Sequence, residues 1–209
     1  MQEWLPLFPL QVVLLPSAEL PLHIFEERYK EMIREALRDK SEFGVVLASE
    51  KGIVNAGCTA AVDKVLREYP DGRMDIMTRG RRRFEILELN EDREFLRGKV
   101  AYLDDDDLTE APPPEKLRQA IEGYNQLRAL EASTPLSDAE AKGLQVSFKL
   151  AQPVADLAMR QALLVARSEA ERIRQLASFL PTYVTTQQQI VRIKQVAPRN
   201  GHGHSKLIH

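Results

Sequence analysis

The chain has 209 residues, of which 44% are hydrophobic, 29% charged and 6% aromatic, with a formal net charge of −2. This composition is that of a globular protein of one large or two small domains. The balanced charge gives no overall attraction to nucleic acid or to anionic membranes. A single cysteine, Cys58, excludes an intramolecular disulfide and a multi-cysteine metal centre. Prolines interrupt the apolar N-terminal stretch, so we expect no targeting or membrane segment and a cytoplasmic protein.

The first half of the chain is predicted to be mainly β. Pro6, Pro9 and Pro16 divide its opening into short β segments. Apolar residues at three- and four-residue spacing from Phe25 to Leu37 predict one helix. Asp71-Gly72 is typical of a tight hairpin. Five further strands are predicted at 43–48, 60–69, 73–78, 84–89 and 95–103.

The second half is predicted to be helical. A first helix should run over 114–131, and capping boxes at Ser137 and Ser168 mark the starts of two more. Pro153 can occupy the first turn of a helix that extends to Val165. Pro181 is expected to break or kink the last helix, since proline inside a helix costs about 3 kcal/mol.

A change of composition near residue 110 predicts a domain boundary. Residues 1–110 hold 16 Lys and Arg against 23 Asp and Glu, a net charge of −7, whereas residues 111–209 have a net charge of +5. Four consecutive aspartates, which should resist burial, and a triproline form the predicted linker. We therefore predict a β domain over 1–110, a helical bundle over 111–196 and a disordered tail over 197–209.

The common enzyme motifs are missing. No phosphate-binding glycine loop, dinucleotide fingerprint or nucleophile elbow occurs, and we predict neither a cofactor nor a metal site. The one enzymatic alternative is a site that uses His23 as a general base or Cys58 as a nucleophile. We instead expect His23 to bond to backbone near the helix start and Cys58 to be buried. The acidic pairs 26–27 and 91–92 are interpreted as solvated surface.

A basic run, Arg79 to Arg83 with Gly80, is the best candidate for binding nucleic acid or another anion. The negative charge of this half and the absence of interleaved aromatic residues argue against RNA. A charge-protected strand edge is the interpretation we favour, and RNA binding stays the alternative.

Several linked segments resemble one family. Leu5-Pro-Leu-Phe-Pro-Leu10, the stretch from Leu20 to Tyr29 and Phe43-Gly-Val-Val-Leu47 are similar to the opening of the N-terminal domain of Lon proteases. Gly57-Cys-Thr-Ala-Ala61 and Gly80-x-x-Arg83-Phe84 continue the pattern, and the helical half resembles the end of that domain. The likeness extends to stand-alone bacterial Lon-domain proteins and, more distantly, to the corresponding domain of cereblon.

The resemblance implies an α+β fold: a PUA-like β pseudo-barrel with one packed helix, followed by a C-terminal helical bundle. It also implies binding of unfolded polypeptide or of a partner protein, in possible association with a separate protease, without catalysis. The ATPase and Ser–Lys protease modules of full-length Lon are not found in these 209 residues. Pro181 would interrupt the exit helix that couples the family's domain to its ATPase ring.

The binding groove is expected where the two halves meet, because domain junctions form concave apolar surfaces. Methionine suits adaptable apolar binding, although strand packing explains it equally well. The candidate binding residues lie on or near the Asp71-Gly72 hairpin and in the basic run: Tyr69, Met74, Met77, Arg79, Arg81 and Arg82.

Overall fold

The protein is described here from a computed structural model, which covers residues 4–50, 52–106 and 111–196. Six strands come first and are interrupted by one helix; helices follow. The strands are β1 (Leu5–Leu10), β2 (Glu19–Ile24), β3 (Phe43–Ser49), β4 (Gly52–Glu68), β5 (Met74–Asn90) and β6 (Arg97–Tyr102). The helices are α1 (Glu27–Asp39), α2 (Pro114–Leu130), α3 (Asp138–Ala141), α4 (Val146–Leu150), α5 (Leu157–Val165) and α6 (Glu169–Val196). The predicted α+β class is confirmed.

The six strands form one sheet that closes on itself. Their order is β2-β5-β4-β3-β1-β6, and β6 also pairs with β5. Five strands therefore make a ring, to which β2 is added along the first part of β5. Only β1 and β3 run parallel. Closure leaves few free strand edges.

One long strand replaces two that were predicted separately. β5 runs unbroken through the arginine run, with β4 along one side and first β2, then β6, along the other. β2 pairs only as far as Arg79 and β6 only from Phe84, so among the described residues Arg81 and Arg82 have no strand partner on that side, as expected of a local strand edge. Gly80 allows the path, because a Cβ there would lie 2.2 Å from the carbonyl oxygen of Leu15. The absence of that Cβ lets the β1–β2 connection cross the strand closely.

Helix α1 covers one face of the sheet. Its buried residues Met32 and Ile33 join a core that contains Ile24 and Ile76. Lys30 is also buried; its Nζ donates to the backbone oxygen of Asp71 at 3.1 Å. The helix therefore holds the β4–β5 hairpin in place as well as covering the core.

The helical half matches the sequence prediction in its first helix and in the start of its last one. Ser137 does form a capping box with Glu140, but the helix ends after four residues. Gln145, with φ of 53°, turns the chain before α4 begins. The next helix is capped by Asp156 and not entered through Pro153, so its predicted start is wrong. In both places turn geometry overrides the apolar periodicity.

Pro181 does not break the last helix, contrary to expectation. α6 continues from Glu169 to Val196, with the exposed proline inside it. Leu180 and Val184, on either side, are buried. α2 approaches closely enough that a Cβ on Gly123 would lie 2.7 Å from Leu180 Cβ. Packing against α2 thus holds the helix across the position where proline lacks an N–H donor.

The two halves share one hydrophobic core. Buried residues from α1 and the strands lie in the same cluster as Phe148, Leu163 and Leu176 of the helical half. The proposed boundary near residue 110 stays a prediction, and the predicted tail lies outside the described residues.

A buried ion cluster also joins the halves. Arg172 donates to both carboxylate oxygens of Asp105 at 2.6 and 2.7 Å, and Arg83 donates to Asp105 at 2.7 Å. The three side chains are at most 3% exposed. The expectation that the aspartate run resists burial is therefore wrong at Asp105, because two guanidinium groups compensate its charge.

Candidate functional site

An exposed surface on β2, β5 and the β4–β5 turn brings aromatic and polar side chains together. We call it the hairpin face and define it by Pro21, His23, Phe25, Tyr69, Asp75 and Met77. Along β5 the side chains alternate, with Met74, Ile76 and Thr78 buried and the residues between them partly exposed. On β2, Pro21 lies opposite Met77 and His23 opposite Asp75.

A hydrogen-bonded triad lies at the centre of the hairpin face. His23 Nδ1 is 2.6 Å from Asp75 Oδ1, and the Tyr69 hydroxyl donates to Asp75 Oδ2 at 2.8 Å. The hydrogen bonds from His23 and then Tyr69 lower the pKa of Asp75, so its carboxylate is ionised at neutral pH. The expectation that His23 bonds to backbone is wrong: its partner is a carboxylate on the neighbouring strand.

Aromatic rings surround this triad. The His23 ring stacks on Phe25 with centroids 5.9 Å apart and meets the Tyr69 ring edge-on at 6.0 Å. The guanidinium groups of Arg67 and Arg73 lie 4.5 and 5.0 Å from the Tyr69 ring centroid. Ring stacking, cation–π contacts and hydrogen bonds fix the geometry before any partner arrives.

Phe25 is the largest side chain on this surface that is left open. It is 58% exposed, and Leu66, at a register shift in β4, is 50% exposed. The sequence pattern placed Phe25 on the buried side of α1, which is wrong because that helix begins only at Glu27. The sequence did contain a sign that Phe25 lies outside the helix: it directly precedes the acidic residues at which α1 starts.

The three candidate residues Tyr69, Met74 and Met77 differ in their exposure to solvent. Tyr69 and Met77 belong to the hairpin face, whereas Met74 is 2% exposed and packs in the core. Met74 is thus not accessible to a ligand in this conformation. The paired strands place Tyr69 and Met77 on one face.

The arginines of the basic run all have acidic partners. Arg79 donates to Asp63 and Glu19, Arg81 to Asp63, and Arg82 contacts Glu42. Arg82 also lies 3.8 Å from the Tyr102 ring centroid. The fourth, Arg83, is buried. The run is therefore compensated by charges within the fold, and its contacts do not support an RNA-binding surface.

His23 and Cys58 do not form a catalytic pair. Cys58 is fully buried, as expected from its sequence context, and its thiol donates to the Thr59 backbone oxygen at 3.4 Å. Burial raises the pKa of this thiol to about 12, so it stays protonated and is a poor nucleophile. His23 is exposed and bonds to Asp75. The acidic pairs are surface groups, with Glu26 bonded to Arg28 and Glu27 to Lys30.

The described residues form at least two concave regions. The larger, about 1020 Å³, lies between α1, the start of β1 and the end of β6, and its walls carry ion pairs such as Arg93–Glu35 and Arg82–Glu42. The smaller, about 370 Å³, lies where the β half meets the helical half and is lined by polar groups, including Arg79. This polar pocket is not the apolar groove expected at the junction, which stays a prediction.

The part of the chain that the structure describes has neither a metal cluster nor a membrane-spanning helix. No three acidic, histidine or cysteine side chains there are arranged to hold a metal ion. No helix in the described ranges has both the length and the apolar character needed to cross a bilayer.

A closed β ring with a helical half packed against it defines the class of fold. Residues 4–201 match the family model described as the ATP-dependent protease La (LON) substrate-binding domain. The chain therefore belongs to the Lon substrate-binding domain family.

Relatives agree with this assignment. The chain is 36% identical to the Lon protease of Parabacteroides distasonis over 110 residues, which are 48% of this chain and 13% of that protein. It is 24% identical to the Lon protease of Cytophaga hutchinsonii over 207 residues, covering 91% of this chain and 25% of that one. The chain thus spans a quarter or less of the length of these two relatives.

Solved structures show the same fold. A Lon N-terminal domain protein from Xanthomonas campestris is 27% identical, with a TM-score of 0.68 over 86% of this chain and 99% of that one. The N-terminal domain of the Mycobacterium avium complex Lon protease has a TM-score of 0.60 over 86% and 98% at 17% identity, a likeness of fold alone.

Proposed function

We propose that this chain is a non-catalytic module that binds unfolded or extended polypeptide through the hairpin face. The observation that carries the proposal is Phe25, a large apolar ring that is 58% exposed yet fixed by stacking on the His23–Asp75–Tyr69 triad. Phe25 shares this face with the partly or fully exposed Pro21 and Met77, and together they offer apolar surface that a partner can cover.

The family supports the same function. Its model is described as a substrate-binding domain, and the substrates of its protease relatives are polypeptides. On this basis we place the chain in the cytoplasm, where its clients would go on to a protease. Tyr69 and Met77 would contribute contacts next to Phe25.

The test is fluorescence anisotropy with a labelled, permanently unfolded polypeptide. Purified protein is titrated at low and at physiological salt, beside a labelled short RNA. We expect saturable binding of polypeptide that tolerates salt, because apolar contacts are little affected by ionic screening. RNA binding that disappears with salt would favour the alternative. Binding to neither probe would contradict the proposed function.

A pair of variants locates the surface. Phe25→Ser removes the exposed ring and should weaken polypeptide binding at least tenfold, as for a central aromatic contact. Leu144→Ser is the matched control, since Leu144 is 100% exposed in the helical half. Equal loss in both variants, or loss in neither, would mean that the polypeptide binds elsewhere.

A further inference from the structure

The smaller concave region has a charge feature that the hairpin face does not explain. This junction pocket is lined by Ser17, Ala18, Glu19, Arg79, Lys149, Gln152 and Arg160. Of its three cations, Arg79 is paired with Glu19 and Asp63 and Lys149 with Glu140, which leaves Arg160 as the one without a carboxylate among the described residues. The pocket lies between the β1–β2 connection and the α4–α5 connection, so both halves of the chain build it.

Arg160 is an arginine without an acidic partner. Its Nε donates to the Val13 backbone oxygen at 2.9 Å, and its Nη1 lies 3.0 to 3.3 Å from the backbone oxygens of Ala151, Gln152 and Val154. No carboxylate of the described residues lies within ion-pair distance of it, in contrast to Arg79, Arg83 and Arg172. Burial lowers the pKa of Arg160, although arginine stays charged.

The fixed guanidinium leaves one nitrogen free. The four hydrogen bonds to carbonyl groups use Nε and Nη1. Nη2 makes no hydrogen bond with the described residues, and it is not buried. This Nη2 is therefore reachable from solvent on a residue that lines the pocket. The neighbouring Lys149 uses its ammonium group for one contact, with Glu140 at 3.2 Å, and keeps donors available.

We propose that the junction pocket binds a single oxyanion group, a carboxylate or a phosphate, through Arg160 Nη2 and Lys149 Nζ. A partly buried cation held only by carbonyl dipoles gains most from an external counter-ion, and a charge-assisted hydrogen bond is about twice as strong as a neutral one. A volume of about 370 Å³ suits a small group. This site is separate from the hairpin face and goes beyond polypeptide binding.

Gln152→Glu is the decisive variant. Gln152 lines the pocket, and its backbone oxygen, which the substitution keeps, accepts from Arg160. The new carboxylate would provide the missing counter-charge from within the chain. It should therefore compete with an external anion and raise the melting temperature of the ligand-free protein, without removing any carbonyl contact of Arg160.

The measurement is a titration followed by the Arg160 Nε–H resonance in NMR spectra. One arm uses inorganic phosphate, another uses acetate, and chloride at equal ionic strength controls for screening. We expect saturation by phosphate or acetate and at least tenfold weaker binding in Gln152→Glu and in Lys149→Met. Gln188→Glu, an exposed change on α6, should bind as the original protein does.

Two results would overturn the proposal. One is the absence of saturable binding of both anions. The other is binding that Gln152→Glu leaves unchanged. Either would leave Arg160 as a clamp for the carbonyl groups of two connections. The polypeptide titration is independent of this outcome, so a failure here does not bear on the proposed function.

Discussion

Arg172 and Asp105 form a two-pronged ion pair in the interior, with donor–acceptor distances of 2.6 and 2.7 Å and at most 1% of either side chain exposed. Arg83, from the β half, shares the same carboxylate. Arg83 also donates to the backbone oxygens of Leu164 and Ala166 in the helical half. The contact between the two halves is thus polar and specific as well as hydrophobic.

Asp105→Asn should destabilise the protein strongly. The change leaves the buried Arg83 without its carboxylate partner and Arg172 with Glu169 alone, and breaking a buried pair in this way costs about 3–5 kcal/mol. Urea unfolding followed by circular dichroism measures the difference. Asp106→Asn is the matched control, because Asp106 is exposed and its pair with Arg167 lies at the surface. Similar losses in both variants would contradict a special role for Asp105.

The same cluster predicts a loss of stability in acid. Burial alone would raise the pKa of Asp105, but hydrogen bonds and charge from Arg172 and Arg83 outweigh it, and the net pKa is lowered. A carboxyl group whose pKa is lowered by folding stabilises the native state above its unfolded pKa of about 3.9. That contribution is lost as the pH falls through the folded pKa. Urea midpoints measured from pH 6 to pH 2 should therefore decline less steeply in Asp105→Asn than in Asp106→Asn.

Cys58 should be unreactive in the native protein. Its thiol is buried and its pKa is raised to about 12, so thiolate is scarce at pH 8. Ellman's reagent should label the protein at pH 8 only after urea is added. Labelling in native buffer as fast as in urea would show that β4 opens readily around Cys58.

Gly123→Ala should destabilise the protein although alanine favours helices. The added methyl group would lie 2.7 Å from Leu180 Cβ, so α2 and α6 would have to move apart. Overpacking of this kind costs about 1–3 kcal/mol, more than the helix propensity gained. Thermal unfolding measures the balance, and a rise in melting temperature would mean that the interface adjusts freely.

Pro181→Ala tests how α6 tolerates its proline. The alanine N–H can donate to the Ala177 carbonyl, and the proline penalty of about 3 kcal/mol is removed, so stability should rise. Hydrogen exchange of the amides from Leu180 to Val184 reports the change locally. Unaltered exchange would indicate that packing against α2 alone determines the opening of this segment.

Much of the fold could be predicted because periodicity and turn chemistry are local. The β4–β5 hairpin at Asp71-Gly72, helix α1 and helix α2 follow directly from such patterns. Pro181 was misjudged because tertiary packing on α2 supplies what the local sequence lacks. Asp105 was misjudged for a similar reason, since its partners Arg83 and Arg172 are 22 and 67 residues away.

The candidate site was predicted less completely. Tyr69 and Met77 could be chosen because they flank a recognisable turn, but their side of the strand depends on register, which Met74 illustrates by pointing inward. His23 and Asp75 meet through the pairing of β2 with β5, a non-local feature. The carboxylates that pair with the arginine run lie on β2, on β4 and directly before β3. No single stretch of sequence therefore shows that the arginines are compensated.

Strand β1, which lies parallel to β3, and Arg83 both depend on partners that come much later in the chain. This order has a consequence for synthesis on the ribosome. β1 cannot complete its pairing until β6 has been synthesised. Arg83 cannot bond to the Leu164 carbonyl until 81 residues after Arg83 itself have been added. We therefore expect the nascent β ring to stay hydrated near residue 83 until the helical half leaves the exit tunnel. Ribosomes stalled before residue 164 should then display a protease-sensitive first half, and those stalled well after α6 a resistant one.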